Sequence, residues 1–362
     1  MRKAVLLLLT AYLSTLLVLA TLHNSHDFSV YWQAARHALA GDPIYSSARY
    51  GKMVFKYPPW ILPIFFPFAY MPYEWAKFLW GIGEVSALFF IIWVLAKRYI
   101  CSPASLLITT LAFWSLWIGH AIDGQITLLM LAIALAFGPA HPASYTALST
   151  KLFTIVALEK ITPKQLLTLS FCLLLASAPA LWIHKTSLLI DFYNAAQSGS
   201  SLFLPHEITG KYNQSITGFL LNCAHIPLGT RHAEPIAFLI SFLGIGLLYA
   251  RRLKRCSTND RFLGWLALAA VLHPLPWYHL FILSFPLACR TLTLAGKDKR
   301  AQLGAFLSTC AIAIASEKTL GPLGLFLQNN SCKSFGVLIC LELFLWLSNR
   351  TSHDHPHCRQ KD

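Results

Sequence analysis

The chain has 362 residues, of which 56% are hydrophobic, 13% aromatic and only 12% charged. A soluble domain carries about 25% charged residues, so this composition excludes a water-soluble globular protein and indicates an all-α, multi-pass membrane protein. Lys and Arg total 29 against 15 acids, a formal net charge of +14. The basic residues fall between apolar runs, which fits the positive-inside rule and contact with anionic membrane lipids and excludes nucleic acid as the partner.

Met1-Arg2-Lys3 precedes an uncharged run from Ala4 to Ala20. The run is long and no clear small-residue cleavage site follows it, so it reads as a retained first helix rather than a signal peptide. Just beyond it, His26-Asp27-Phe28-Ser29-Val30-Tyr31-Trp32 places an acid close to the membrane surface. Taken alone, such an acid is ordinarily a solvated loop residue. From Val30 to Leu39 apolar residues recur at helical spacing, and Gly41-Asp42-Pro43 stops the run. A short amphipathic helix along the membrane surface is expected there, with Asp42 capping the turn. Tyr57-Pro58-Pro59 then leads the chain back toward the membrane.

Apolar runs lie near residues 4–22, 59–72, 75–96, 103–119, 125–140, 143–158, 165–184, 233–250, 262–273, 277–294, 301–320 and 334–348. If each crosses, the protein is a bundle of about twelve spans. One membrane domain over 1–348 is expected, with a polar, His-containing tail at 349–362. With the N-terminus inside, the clusters Arg2-Lys3, Arg251-Arg252-Lys254-Arg255 and Lys297-Lys299-Arg300 are cytoplasmic, whereas Lys97-Arg98 falls outside, against the rule. The loops 23–58 and 185–232 and the junction from His273 to His279 then share the outer face. Gly124-Gln125 and Lys160-Ile161-Thr162-Pro163 fall on the opposite side, which favours structural roles for them.

The outer face collects Asp27 with His26, Arg36, Arg49, Lys52, Lys56, His206, Glu207, Lys211, His273 and His279. Ionisable groups at a membrane surface are functional candidates, and this predominance of cations suits an anionic substrate such as a phosphate, although ordinary headgroup contact would account for most of them singly. His273-Pro274-Leu275-Pro276-Trp277-Tyr278-His279 breaks a helix at the membrane edge, as cavity-lining backbone does; Trp277 and Tyr278 could equally be interfacial anchors. The amides of Asn213 and Gln214 and the hydroxyl of Ser215 could bind sugar hydroxyls or cap the following helix.

No P-loop, G-x-S-x-G, H-E-x-x-H or D-x-D pattern occurs. Any transferase here would therefore use a donor already in the membrane. The tail Ser352-His353-Asp354-His355-Pro356-His357-Cys358 could bind a transition metal but reads more simply as an inert terminus. The cysteines show no C-x-x-C spacing, and Cys101, Cys172, Cys289, Cys310 and Cys340 read as small buried hydrophobes.

Asp27-Phe28-x-Val30-Tyr31, Gly41-Asp42-Pro43-x-Tyr45, Phe55-x-Tyr57-Pro58-Pro59, Gly124-Gln125, Lys160-x-x-Pro163, Asn213-Gln214-Ser215-x-x-Gly218 and Pro274-x-x-Trp277-x-His279 follow one another in order. Together they resemble glycosyltransferase family 87, the polyprenol-phosphate-mannose-dependent α-1,2-mannosyltransferases of GT-C fold, over residues 1–295. The resemblance implies Asp27 as the catalytic base and a polyprenyl-phosphate sugar, mannose, as donor, with no metal and no cofactor required. It implies a glycolipid or glycan hydroxyl as acceptor on the extracytoplasmic face of the cell membrane. Lys56, Tyr57, Arg36, Lys211, Asn213, Gln214, Trp277 and His279 are the expected substrate-binding residues. His273, where a small polar residue is expected, and Leu280, where a second histidine often stands, depart from the pattern. One carboxylate suffices for single-displacement inversion, and the first loop holds only Asp27 and Asp42 as acids. A second class stays open, a transporter or flippase for a lipid-linked or anionic solute; it would require charges near the middle of the spans, where the apolar runs carry few.

Overall fold

The computed structural model describes residues 11–12, 14–19, 22, 25–45, 55, 57–151, 154, 157, 162–184, 187–197, 213–223, 233–273 and 278–354. Every regular element among them is helical. In chain order they are α1 (His26–Ala40), α2 (Leu62–Ala69), α3 (Tyr73–Lys97), α4 (Pro103–Ala112), α5 (Trp114–Asp123), α6 (Thr127–Phe137), α7 (Pro142–Ser149) and α8 (Pro163–His184). There follow α9 (Ser187–Gln197), α10 (Ile216–Cys223), α11 (Ala233–Leu253), α12 (Thr258–Leu272), α13 (Phe285–Ala295), α14 (Lys299–Ile314), α15 (Glu317–Asn329) and α16 (Cys332–Asp354). Short 3-10 turns, Pro59–Ile61 and Tyr278–Ser284, lead into α2 and α13.

Five helical stretches are long and apolar enough to cross a membrane, or seven if the bent pairs α4–α5 and α14–α15 each count as one span. The expectation of about twelve overcounts among the described residues for a physical reason. The runs at 59–72 and 125–140 form helices of at most 11 residues, and the run at 143–158 opens with an 8-residue helix. The run at 262–273 belongs to the 15-residue α12, buried along nearly its whole length. A run can be apolar because protein surrounds it, and periodicity alone does not separate that from a lipid-facing span.

The chain divides into two compact units, residues 1–90, 117–152 and 160–205 in the first, and 91–116, 153–159 and 206–362 in the second. In the first unit, α1 buries Phe28, Val30, Tyr31, Ala34, Ala35 and Ala38 and ends at Gly41, whose φ of +77° closes the helix in the left-handed conformation glycine tolerates best. The buried face meets α2 and the start of α3 through aromatic rings. Phe28 stacks on Trp80 at 5.4 Å and meets Phe68 edge-on at 5.8 Å, while Tyr31 lies 4.7 Å from Phe65. Trp32 Nε1–H donates to the Phe68 and Met71 carbonyls, 3.1 and 3.3 Å away, satisfying orphan groups at the end of α2. The Tyr73 hydroxyl donates to the Ser25 carbonyl at 3.2 Å. Asp42 lies 3.1 Å from His37 Nδ1. The expected short helix is thus present, but it begins at His26, so Asp27 sits in its first turn rather than in a loop.

In the second unit, the turn after Lys97-Arg98 is tied to α13: Ser102 N–H donates to Thr293 Oγ1 at 3.0 Å. Lys297, Lys299 and Arg300 follow α13 directly. Arg350, near the end of α16, pairs with Asp298 at 3.3 Å, and Arg252, at the end of α11, pairs with Glu342 of α16. The basic clusters therefore gather at one end of this unit, Lys97-Arg98 with them. That corrects the expected violation of charge asymmetry, which arose from counting 59–72 as a span. Of the five cysteines expected to be buried, Cys101, Cys289 and Cys340 are, whereas Cys172 and Cys310 are only half-buried.

Candidate functional site

The start of α1 lies against the turn that follows α5. Gly124, in that turn, has φ +68°, and a Cβ added there would stand 2.7 Å from Phe28 Cβ and 3.3 Å from Ser25 Cβ. Only glycine lets the two backbones come this close. Trp80 Nε1–H donates to the Gly124 carbonyl at 3.1 Å, fixing the turn against α3. The next residue, Gln125, is 3% exposed and donates from Nε2 to the Asp27 carboxylate.

The other end of that amide is held as well. Gln125 Oε1 lies 3.4 Å from the Tyr57 hydroxyl, 3.5 Å from the Tyr31 hydroxyl and 3.5 Å from Lys151 Nζ. With the Tyr57 hydroxyl and Lys151 Nζ as donors against Oε1, the orientation of the amide is fixed so that its N–H faces Asp27. Tyr31 O–H donates to the Tyr57 oxygen at 2.9 Å, and Tyr45 O–H donates to the Tyr57 carbonyl at 2.9 Å. Lys151 Nζ also stands 5.9 Å from the centre of the Tyr57 ring. Burial raises the Tyr57 phenol well above its ordinary range, and the negative charge of Asp27 adds to this while the hydrogen bond from Tyr31 opposes it. Tyr57 therefore remains an O–H donor at any working pH. Burial pushes the Lys151 ammonium down to about 8, against the pull of Asp27. The result is a carboxylate and a titratable cation at opposite ends of one buried amide.

Of the residues expected from sequence, Asp27 and Tyr57 meet here. This also corrects the expected topology, since Gln125 touches Asp27 and cannot lie on the opposite face from it. Arg36 is nine residues from Asp27 on α1, about two and a half turns, so it projects from the other side of the helix. It is exposed and its guanidinium lies 4.7 Å from the Trp32 ring centre. Asn213, Gln214 and His279 belong to the second unit and are buried. Asn213 Oδ1 accepts from Ser215 N–H at 2.9 Å, and Ser215 Oγ accepts from Gly218 N–H at 2.8 Å, so Ser215 caps α10. Gln214 accepts from Ser334 Oγ and, at 3.3 Å, from Lys333 N–H at the start of α16. His279 lies in the 3-10 turn before α13, and its neighbour Tyr278 has Lys318 Nζ 5.9 Å from its ring centre. Lys56, Lys211 and Trp277 lie outside the described residues, as do Arg49, Lys52, His206, Glu207 and the end of the tail from His355. Among the described residues no cluster of three or more His, Cys, Asp or Glu is arranged to hold a metal.

Sequence reasoning missed Lys151 and gave Gln125 a structural role. The signal for Lys151 was a lone cation inside what otherwise read as an apolar run.

The family model "Glycosyltransferase family 87" matches residues 55–276, more than half of the chain. The chain belongs to glycosyltransferase family 87. No curated protein and no solved structure matches it. The family 87 match covers Tyr57, Gln125, Lys151, Asn213 and Gln214, whereas Asp27 and His279 lie outside it. What ties Asp27 to the matched region of this family 87 chain is its hydrogen bond with Gln125. The protein is accordingly a membrane glycosyltransferase, an enzyme that transfers a sugar from a donor to an acceptor.

Proposed function

We propose that this chain is an inverting glycosyltransferase of GT-C type that moves mannose from a polyprenyl-phosphate donor to a hydroxyl of a lipid or glycan acceptor. One observation carries the reading: Gln125 holds Asp27 at its nitrogen end and Lys151 at its oxygen end. The acceptor oxygen attacks the anomeric carbon and its proton passes to Asp27 as general base. The bond between that carbon and the phosphate oxygen breaks, and its electron pair leaves with the phosphate, which gains a second negative charge. Among the described residues, Lys151 is a nearby cation able to offset that charge. No second carboxylate is needed for a single displacement with inversion. His279, Asn213 and Gln214, with Lys56, Lys211, Trp277 and Arg36, are assigned to substrate contact on the resemblance alone.

The extracytoplasmic face is proposed for the site. Supporting this, α3 starts at Tyr73, bonded to Ser25 beside Asp27, and runs 25 residues before reaching Lys97-Arg98. A helix of that length crosses a bilayer, and the basic end is the cytoplasmic one by charge asymmetry.

Membranes containing the protein, incubated with labelled polyprenyl-phosphate mannose and mixed lipid acceptors, should give a mannosylated product of inverted anomeric configuration. Uptake of label without product would indicate transport instead, and product from a nucleotide-linked sugar would overturn the donor assignment.

A further inference from the structure

Two ionisable side chains lie deep in largely apolar helices. Glu84 is the acid in the middle of α3 and is 7% exposed; His120, on α5, is 1% exposed. His120 Nδ1 and Glu84 Oε1 are 3.2 Å apart. Glu84 Oε2 is buried and has no hydrogen-bond partner among the described residues. A small cavity touches both side chains and is otherwise walled mainly by Leu16, Leu88, Trp117 and Leu128. Buried ionisable groups in a membrane are costly to keep, and for that reason each is a functional candidate.

Their place relative to the site is set by helix geometry. Trp80, which holds the Gly124 carbonyl, lies one turn before Glu84 on α3. On α5, Gly124 N–H donates to the His120 carbonyl at 2.9 Å, so His120 lies one turn before Gly124. Thus α3 and α5 are joined twice at successive levels, by Trp80 with Gly124 and by Glu84 with His120. Gln125, holding Asp27, emerges directly from the upper joint.

We infer that Glu84 and His120 are a positioning pair, whose buried hydrogen bond sets the Gly124–Gln125 turn and thereby sets how tightly Asp27 keeps its proton. The physical link is the Gln125 amide. A hydrogen bond donated to a carboxylate favours its ionised form, so displacing Gln125 raises the proton affinity of Asp27. Among the described residues, the groups that act on Asp27 include Tyr31 on its own helix, Tyr57 before α2, Lys151 after α7 and Glu84 itself, with Asp123 acting on Glu84. The inference deepens the proposed function, because it matters to transfer only if Asp27 is the base.

The test reads Asp27 directly. The infrared carboxyl band lost in Asp27→Asn is titrated in the full-length protein and in Glu84→Leu, Glu84→Gln and His120→Asn. Glu84→Leu and His120→Asn remove the pairing, and Asp27 should then bind its proton about tenfold more tightly, from weakening of one charged hydrogen bond. Glu84→Gln can still bond to His120 and should restore a titration close to that of the parent. An unchanged titration in both pair-breaking variants would overturn the inference, as would a Glu84→Gln shift equal to that of Glu84→Leu. The transfer activity of Asp27→Asn is a separate readout: if it survives, the base assignment fails while the titration still decides the positioning role.

Discussion

Gln125 donates its amide hydrogen to Asp27 across 98 residues of chain, and this bond joins the first turn of α1 to the turn after α5. Asp27 is partly exposed while Gln125 is buried, so the acid can meet a substrate and its partner cannot move away.

The first prediction concerns this amide. Gln125→Leu removes a hydrogen bond to a carboxylate, worth about 1.5–3 kcal/mol, and strands the Tyr57 hydroxyl beside an apolar group. The turnover number should fall by about one to two orders of magnitude, and the acid limb of the rate–pH profile should move to higher pH. Gln125→Glu should be the more damaging change, because it sets a second carboxylate against Asp27. An acid limb that stays in place in both variants would show that Gln125 does not govern Asp27.

Lys151 supplies a prediction about the alkaline side. Its ammonium is lowered by burial to about 8, so in the enzyme without substrate the cation is present below that pH and is lost as pH rises through it. If the cation meets the donor phosphate, kcat/KM should decline above a pH of about 8. The bound phosphate favours the charged form, so the corresponding limb in kcat should lie at higher pH. Lys151→Arg should remove the alkaline limb, and Lys151→Met should remove it together with most of the activity. An alkaline limb retained in Lys151→Met would assign it to another group.

Gly124 gives a prediction about stability. Alanine there would combine a strained positive φ with a Cβ 2.7 Å from Phe28 Cβ, and the backbone turn would have to shift. The cost expected from strain and overpacking is about 2–4 kcal/mol. Thermal unfolding of the detergent-solubilised Gly124→Ala protein should begin several degrees lower. An unchanged midpoint would mean that the turn relaxes at no cost.

Much of this arrangement was legible in the sequence, and two of the failures share one origin. The motif around Asp27, the helix ending at Gly41 and the multi-pass character follow from composition, spacing and turn residues. The side of the membrane assigned to Gln125 did not follow, because α2, α6 and α7, helices of 8, 11 and 8 residues, were counted as spans. Lys151 was hidden by the same error, inside a run that ends as a helix at Ser149. Ser215, left open between sugar contact and helix cap, is seen to cap α10. The Glu84–His120 bond was invisible for another reason: 36 residues separate its partners, and only the packing of α5 on α3 brings them together.

The central claim is that Asp27 is the base, and one substitution tests it with little change of shape. Asp27→Asn keeps the size of the side chain and a hydrogen-bonding oxygen for Gln125 but removes the basic carboxylate. In membranes supplied with labelled polyprenyl-phosphate mannose and acceptor, the account predicts normal insertion and a transfer rate at least about a hundredfold lower, the scale of a lost general base. Transfer at the parental rate by a correctly inserted Asp27→Asn protein would contradict it.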